Sequence, residues 1–261
     1  VFHGRGMEFP HVRAYQPGDD VRAIDWKVTA RRGTPYVRQF VEERDLLVAL
    51  MVDVSGSGRL GPGHRSAGEV AHEVAAALAF AAARNNDRVM LLLVSDRVER
   101  YVAPKAGRRH VIRLLETMVS HRPRRSATDL VAGLDHLLKY TPGRANLFII
   151  SDFLQDHRKP RFREALGRAC RKHDVAAIRL TSAAVAELPN VGWVQITDPE
   201  TGRRVTVDTG NARVRAHYRH AMLCRGAEIE ELLTEVGAES LVLDTDQDPL
   251  VPLAGFLRRK P

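Results

Sequence analysis

Residues 46–54, LLVALMVDV, form an almost unbroken apolar run, which predicts a strand buried on both faces. After a Gly-rich turn, residues 66–84 are Ala-rich with apolar positions at helical spacing, and the pattern stops at Asn85-Asn86-Asp87. VMLLLV at 89–94 predicts a second strand, with a hairpin through 98–102. Residues 107–120 read as a helix with Val111, Leu114, Leu115 and Met118 on one face. Thr128-Asp129 opens another helix through Tyr140, and Thr141-Pro142-Gly143 stops it. A strand over 146–151, a basic helix over 160–172 and a strand over 175–180 follow. A short antiparallel piece pairs 191–196 with 205–207 around a turn at 199–202. The chain then gives a long helix over 211–236, a strand over 240–244 and a helical segment over 250–257.

Strands alternating with helices at this spacing predict an α/β fold, a doubly wound and mostly parallel sheet. Such sheets bind ligands where strands deliver their carboxyl ends, at the point where strand order reverses. Residues 1–45 differ, carrying Gly, Pro and paired charges among short extended pieces. They are expected to form an extended, β-rich segment packing on a main domain of residues 46–261, whose antiparallel insertion lies near 185–210. No internal repeat stands out.

The composition narrows this picture. Over 261 residues, 44% are apolar and 28% charged, which marks a globular chain and excludes a disordered one. There is no run of about 18 apolar residues, so no membrane span is expected in this chain. The start, VFHGRGMEF, lacks the features of a secretory signal. Cys170 and Cys224 are too few for a disulfide framework and suit a reducing compartment, so a cytoplasmic location is expected. The net charge is +8, and 34 of the 40 basic residues are Arg. They are spread along the chain. The densest runs, Arg108-Arg109-His110 and His121-Arg122-Pro123-Arg124-Arg125, have no interleaved aromatics to stack bases, so no nucleic-acid partner is expected.

The strand ends carry the candidate chemistry. Asp53-Val54-Ser55-Gly56-Ser57 ends the first strand of the main domain, Thr128 opens a later helix, and Ser151-Asp152 ends the strand FIIS. Converging on one sheet edge, these segments offer the carboxylates Asp53 and Asp152 with the hydroxyls of Ser55, Ser57 and Thr128. All are hard oxygen donors, which favour Mg²⁺ or Mn²⁺ over zinc. Two carboxylates leave a divalent cation poorly neutralised, so a carboxylate from a partner protein suits the remaining position. Read without a metal, the serines cap the helix beginning near Ser66 and Asp152 only ends a strand.

DVSGS, with Thr128 75 and Asp152 99 positions after Asp53, resembles the metal-ion-dependent adhesion site of von Willebrand factor A domains. A longer resemblance covers nearly the whole chain. It runs through Gly4-Arg5-Gly6-Met7-Glu8-Phe9, Arg13-x-Tyr15-x-Pro17-Gly18-Asp19-Asp20-x-Arg22-x-Ile24-Asp25-Trp26, Thr29-Ala30-Arg31 and Gln39-Phe40-x-Glu42-Glu43-Arg44. Ser126-x-Thr128-Asp129-Leu130, Ser151-Asp152-Phe153, His173-Asp174-Val175, Leu188-Pro189-x-Val191-Gly192 and Asp198-Pro199-Glu200-Thr201-Gly202 extend it. These stretches resemble the bacterial domain-of-unknown-function family 58, whose members carry a von Willebrand A-like domain and are commonly encoded beside MoxR-type AAA+ ATPases. Two positions depart from that pattern: Gly58 stands where a Met often follows D-x-S-x-S, and Thr181-Ser182 where Asp-Pro is common. Neither is among the metal candidates.

The resemblance implies a divalent-metal-dependent protein-interaction module with no catalytic or cofactor-binding residues. Its implied partner is a MoxR-like AAA+ ATPase or its client, in assembly or chaperone-like maturation. The Tyr15–Trp26 signature reads as structural, since Pro17-Gly18 makes a turn and Asp19, Asp20, Arg22 and Asp25 can pair locally; a partner contact is its other reading. Four chemistries are set aside. The Gly58–Arg65 stretch mimics a P-loop but has His64-Arg65 in place of Lys-Ser/Thr. Ser55 replaces the second carboxylate that a phosphotransfer hydrolase using Asp53 would need, and a serine nucleophile elbow would need Gly where Asp53 stands. His217 and His220, three apart, lack a third ligand and read as a solvated helix face, while the two cysteines read as buried or inert. The alternative to the metal-dependent module is a scaffold binding acidic partners through its Arg-rich surface, or a metal-dependent hydrolase.

Overall fold

The computed structural model describes residues 12–38, 46–56, 65–122, 127–141, 143–154, 160–197 and 203–259. Two compact units divide between residues 45 and 46.

In the first unit, β1 (Val12–Ala14) pairs antiparallel with β2 (Tyr36–Arg38). Between them lie a 3-10 turn over Val21–Ala23 and the helix α1 (Trp26–Arg32), so this segment is less purely extended than its sequence suggests. Asp25 explains the helix: its carboxylate accepts from the Lys27 and Val28 amides, capping an otherwise short segment. Gly33, at φ 74°, closes it. The local pairings are also specific. Arg13 grips Asp19 with two hydrogen bonds of 2.6 and 2.7 Å, while Asp20 caps the 3-10 turn through the Arg22 amide.

The second unit is built on six strands: β3 (Leu47–Asp53), β4 (Arg88–Val94), β5 (Val98–Lys105), β6 (Asn146–Ser151), β7 (Asp174–Thr181) and β10 (Glu239–Asp244). Their order is β10-β7-β6-β3-β4-β5, all parallel except the edge strand β5, which runs antiparallel to β4. This is the doubly wound, mostly parallel arrangement that the strand and helix pattern predicts, and the von Willebrand factor A-like fold that the family resemblance implies. Alternate residues of β3 face opposite cores. Leu47, Ala49 and Met51 pack with α4 (Leu130–Tyr140), α5 (Pro160–Lys172) and α7 (Ala212–Glu235), whereas Val48, Leu50 and Val52 pack with α2 (Ala67–Arg84), α3 (Arg108–Ser120) and α8 (Leu250–Arg259). Helices on both faces are why β3 reads as continuously apolar. The insertion carries α6 (Ala183–Ala186) and the antiparallel pair β8 (Trp193–Thr197) and β9 (Arg204–Asp208).

The chain winds outward from β3 through β4 to β5, then returns to β6 and winds the other way. The reversal lies between β3 and β6. Their carboxyl ends, Asp53 and Ser151, therefore flank the crevice where such sheets bind ligands.

Close packing of α4 on this centre gives a test. A Cβ on Gly133 would lie 2.8 Å from Val94 Cγ2 and 2.9 Å from Met51 Sδ, whereas one on Gly255 in α8 meets nothing within 4 Å. Gly255→Ala should stabilise by about 1 kcal/mol through helix propensity. Gly133→Ala should instead destabilise by about 1–2 kcal/mol, because overpacking outweighs propensity. Thermal unfolding of both variants checks the opposite signs; equal shifts would refute the packing argument.

Candidate functional site at the sheet switch point

Asp53 is the last residue of β3, and the ladder continues one step beyond it through the Val54 amide to the Val94 carbonyl at 2.8 Å. The two oxygens of its carboxylate are held separately. Oδ1 accepts the Ser55 amide at 2.9 Å, and Oδ2 accepts the Ser151 hydroxyl at 2.7 Å from the neighbouring strand. The Ser151 oxygen in turn accepts the Phe153 amide at 3.0 Å. Ser151 is thus an orienting residue whose role the sequence does not reveal, because it depends on the parallel register of β3 with β6.

Asp152 lies immediately beyond β6, its Oδ1 accepting the Leu154 amide at 3.0 Å. Phe153 has φ 59°, a left-handed conformation that is rare for an aromatic residue. It turns the chain so that the Phe153 ring enters the core, where its centroid lies 6.3 Å from that of Phe162. Strain beside a candidate site is a signal that only coordinates carry.

Thr128 is buried and precedes Asp129, which caps α4 through the Val131 amide and whose own amide reaches the Ser95 carbonyl just past β4. Asp53, Ser55, Thr128 and Asp152 therefore stand in segments delivered to the same sheet edge. Ser57 and the P-loop-like stretch up to His64 lie outside the described residues.

The electrostatics follow from burial and like charge. Loss of solvation, reinforced by the nearby Asp152 carboxylate, pushes the Asp53 carboxyl up to about 7. Hydrogen bonds from Ser151 and Ser55 oppose that rise. A cleft of about 400 Å³ opens beside Asp53 and Ser55, with Glu69, His72, His121 and Arg122 among its lining residues. Glu69 is engaged in the capping box of α2, accepting the Ser66 amide at 2.7 Å. Burial pulls the His72 imidazole below its ordinary value.

The donor set fits a hard divalent cation: two carboxylates from neighbouring segments, with the small hydroxyls of Ser55 and Thr128. Among the described residues no three His, Cys, Asp or Glu side chains gather as a metal cage, so a zinc-type site is absent there. On α7, His220 Nε2 lies 3.5 Å from Cys224 Sγ, one helical turn away, and Cys224 is exposed. Cys170 is half-buried, and burial raises its thiol to about 11.

The fold is shared with known structures. An aerotolerance-related membrane protein from Bacteroides fragilis superposes with a TM-score of 0.56 at 14% identity, covering 82% of this chain and 99% of that one. The conserved hypothetical protein BatB from Bacteroides thetaiotaomicron superposes with a TM-score of 0.51 at 13% identity, covering 80% and 94%. Among the described residues no helix is long and apolar enough to cross a membrane. The cytoplasmic location expected from the thiols and the missing apolar run is nevertheless withdrawn. A fold shared with a membrane protein removes the inference from these features to the cytoplasm.

Sequence comparison is more specific. The uncharacterised protein Rv1480 of Mycobacterium tuberculosis is 33% identical over 258 residues, spanning 97% of this chain and 80% of that protein. The model of the family described as protein of unknown function DUF58 matches residues 11–228, and the chain belongs to that family.

Proposed function

We propose that this chain is a divalent-cation-dependent protein-interaction module with no catalytic role of its own. Asp53, Ser55, Ser57, Thr128 and Asp152 hold Mg²⁺ or Mn²⁺, some of them through water. The observation that carries this reading is the Asp53 carboxylate, oriented by Ser55 and Ser151 beside Asp152 at the strand-order reversal. The bound cation supplies a hard Lewis-acid position that remains under-neutralised and so selects an anionic partner group. Asp53 and Asp152 contribute the protein's charge, Ser151 fixes the plane of the Asp53 carboxylate, and the hydroxyls fill positions without adding charge. The partner group is a Glu or Asp side chain of another protein. The family resemblance names a MoxR-like AAA+ ATPase, or its client, as that protein, with a role in assembly or chaperone-like maturation.

A non-enzymatic role fits the site because the residue two past Asp53 is Ser55, which cannot act as a general acid or base in phosphoryl transfer. The test is binding of a MoxR-like ATPase measured by biolayer interferometry in Mg²⁺ and in EDTA. Capture is expected in Mg²⁺ only, and Asp53→Ala should weaken it at least tenfold. Binding that ignores both EDTA and the substitution would refute the metal bridge, and Mg²⁺-dependent hydrolysis of phosphate or acyl esters would refute the non-enzymatic reading.

A further inference from the structure

Beside the Asp53 cleft lies a larger groove of about 860 Å³, walled by β5 on one side and α3 on the other. Five fixed cations line it, Arg97, Arg100, Lys105, Arg113 and Arg122, against the single carboxylate of Glu99. That carboxylate is committed locally. Its side chain is only 5% exposed, it accepts the Ser95 hydroxyl at 2.7 Å, and it faces Arg97 Nε at 3.6 Å. Arg100, Lys105 and Arg113 are exposed and make no ion pair among the described residues. Their mutual repulsion is therefore uncompensated within the described chain, an arrangement that costs stability and suits an anionic occupant.

The fold builds this concentration from dispersed sequence. β5 is the outermost strand, and its pairing with β4 shifts register twice, between Leu93 and Val94 and between Val89 and Leu91. At the second shift His110 Nε2 donates to the Val89 carbonyl at 2.8 Å, tying α3 to β4. Arg122 donates to the Val119 and His121 carbonyls at the end of α3, which holds its guanidinium where the groove meets the Asp53 cleft. His121 and Arg122 line both cavities, so the two adjoin.

We propose that the β5–α3 groove binds an extended acidic segment of a partner protein, its carboxylates on Arg100, Lys105, Arg113 and Arg122. Charge complementarity and adjacency to the Asp53 cleft favour this occupant. A nucleic-acid strand is disfavoured because Tyr101 is the one Phe, Tyr or Trp among the lining residues, so successive bases would find no row of aromatic platforms along the groove. Capture by the groove stands without a metal; only the continuation of the segment into the Asp53 cleft rests on the function proposed above.

The probe is a fluorescein-labelled ten-residue glutamate peptide, read by fluorescence anisotropy at about 50 mM salt, with a labelled ten-nucleotide oligo-dT as the competing class. The peptide should bind in EDTA as well as in Mg²⁺. The double variant Arg100→Glu/Arg113→Glu, both exposed positions, should weaken it at least tenfold, with circular dichroism confirming an unchanged fold. Arg213→Glu/Arg258→Glu makes the same change in net charge away from the groove and should alter affinity less than twofold. Equal losses in the two double variants would overturn the groove in favour of diffuse attraction, and tighter binding of oligo-dT than of peptide would overturn the peptide class. Peptide binding that depends on Arg100 and Arg113 but not on Asp53 or Mg²⁺ supports the groove even where the metal bridge fails. Binding lost with Asp53→Ala or EDTA but untouched by the arginine variant refutes the groove and leaves the metal bridge standing.

Discussion

Mg²⁺ at about one hundred times its dissociation constant should raise the melting temperature at pH 8 by roughly 5–10 °C, and at pH 5 by much less. The reason is the Asp53 carboxyl. It titrates near 7 in the folded chain against 3.8 ordinarily, so the folded state holds a proton that the unfolded chain releases first. A group raised in this way contributes stability that is complete below pH 4 and lost as pH rises through about 7. The loss is roughly 2–4 kcal/mol, taken below the full shift because Asp53 keeps part of its surface on the cleft. On the proposed function, a divalent cation held by Asp53 and Asp152 would restore it by neutralising the charge that burial penalises.

Three histidines titrate in the opposite sense. Burial pulls His72, His136 and His173 below the ordinary 6.5, so stability from them is present above that pH and falls as the unfolded chain takes up their protons. His173 is the least exposed of the three, at 2%, and neither of its ring nitrogens is hydrogen-bonded among the described residues. Subtracting melting temperatures with and without Mg²⁺ at each pH cancels this slope. Asp53→Asn keeps an acceptor for Ser55 and offers a donor to Ser151, so it should melt above the metal-free intact protein at pH 8 and ignore Mg²⁺. Identical curves with and without Mg²⁺ at both pH values would refute the site.

What could be read in advance divides along a physical line. β3, β4 and β6 were legible because burial on both faces forces continuous apolar runs, and α2 because its apolar positions recur at helical spacing over 66–84. The strand-end segments bearing Asp53, Thr128 and Asp152 followed from the order of those elements. α1 escaped a reading based on apolar period because seven residues hold barely two turns, yet its signals, Asp25 before and Gly33 after, are present in the chain. Ser151 was beyond reach for a different reason: a serine at a strand end becomes an orienting hydroxyl only through the register that sets it against Asp53. The cationic groove is the clearest case. Arg100 and Arg113 are far from remarkable in sequence, and only the pairing of β5 with β4 beneath α3 gathers them.

Phe153 links the core to the site, and its substitution should have the largest effect on stability. Its ring is 1% exposed and packs against Phe162, so Phe153→Ala should cost about 3–5 kcal/mol, roughly a 10 °C fall in melting temperature. The sign of a second comparison separates packing from backbone. Gly is ordinarily worse than Ala within a folded element by about 0.5–1 kcal/mol. At φ 59° the preference inverts, since a Cβ in the left-handed region costs about 1–2 kcal/mol. Phe153→Gly should therefore melt above Phe153→Ala although it buries less. The left-handed turn also sets where Asp152 leaves β6, and the Phe153 amide is one of the groups that fix the Ser151 oxygen. Losing the anchoring ring should thus shrink the Mg²⁺-induced rise in both variants, beyond what the lower starting stability accounts for. An undiminished Mg²⁺ response would uncouple the site from the core, and an alanine variant that outlasts glycine would remove the strain at Phe153 from the account.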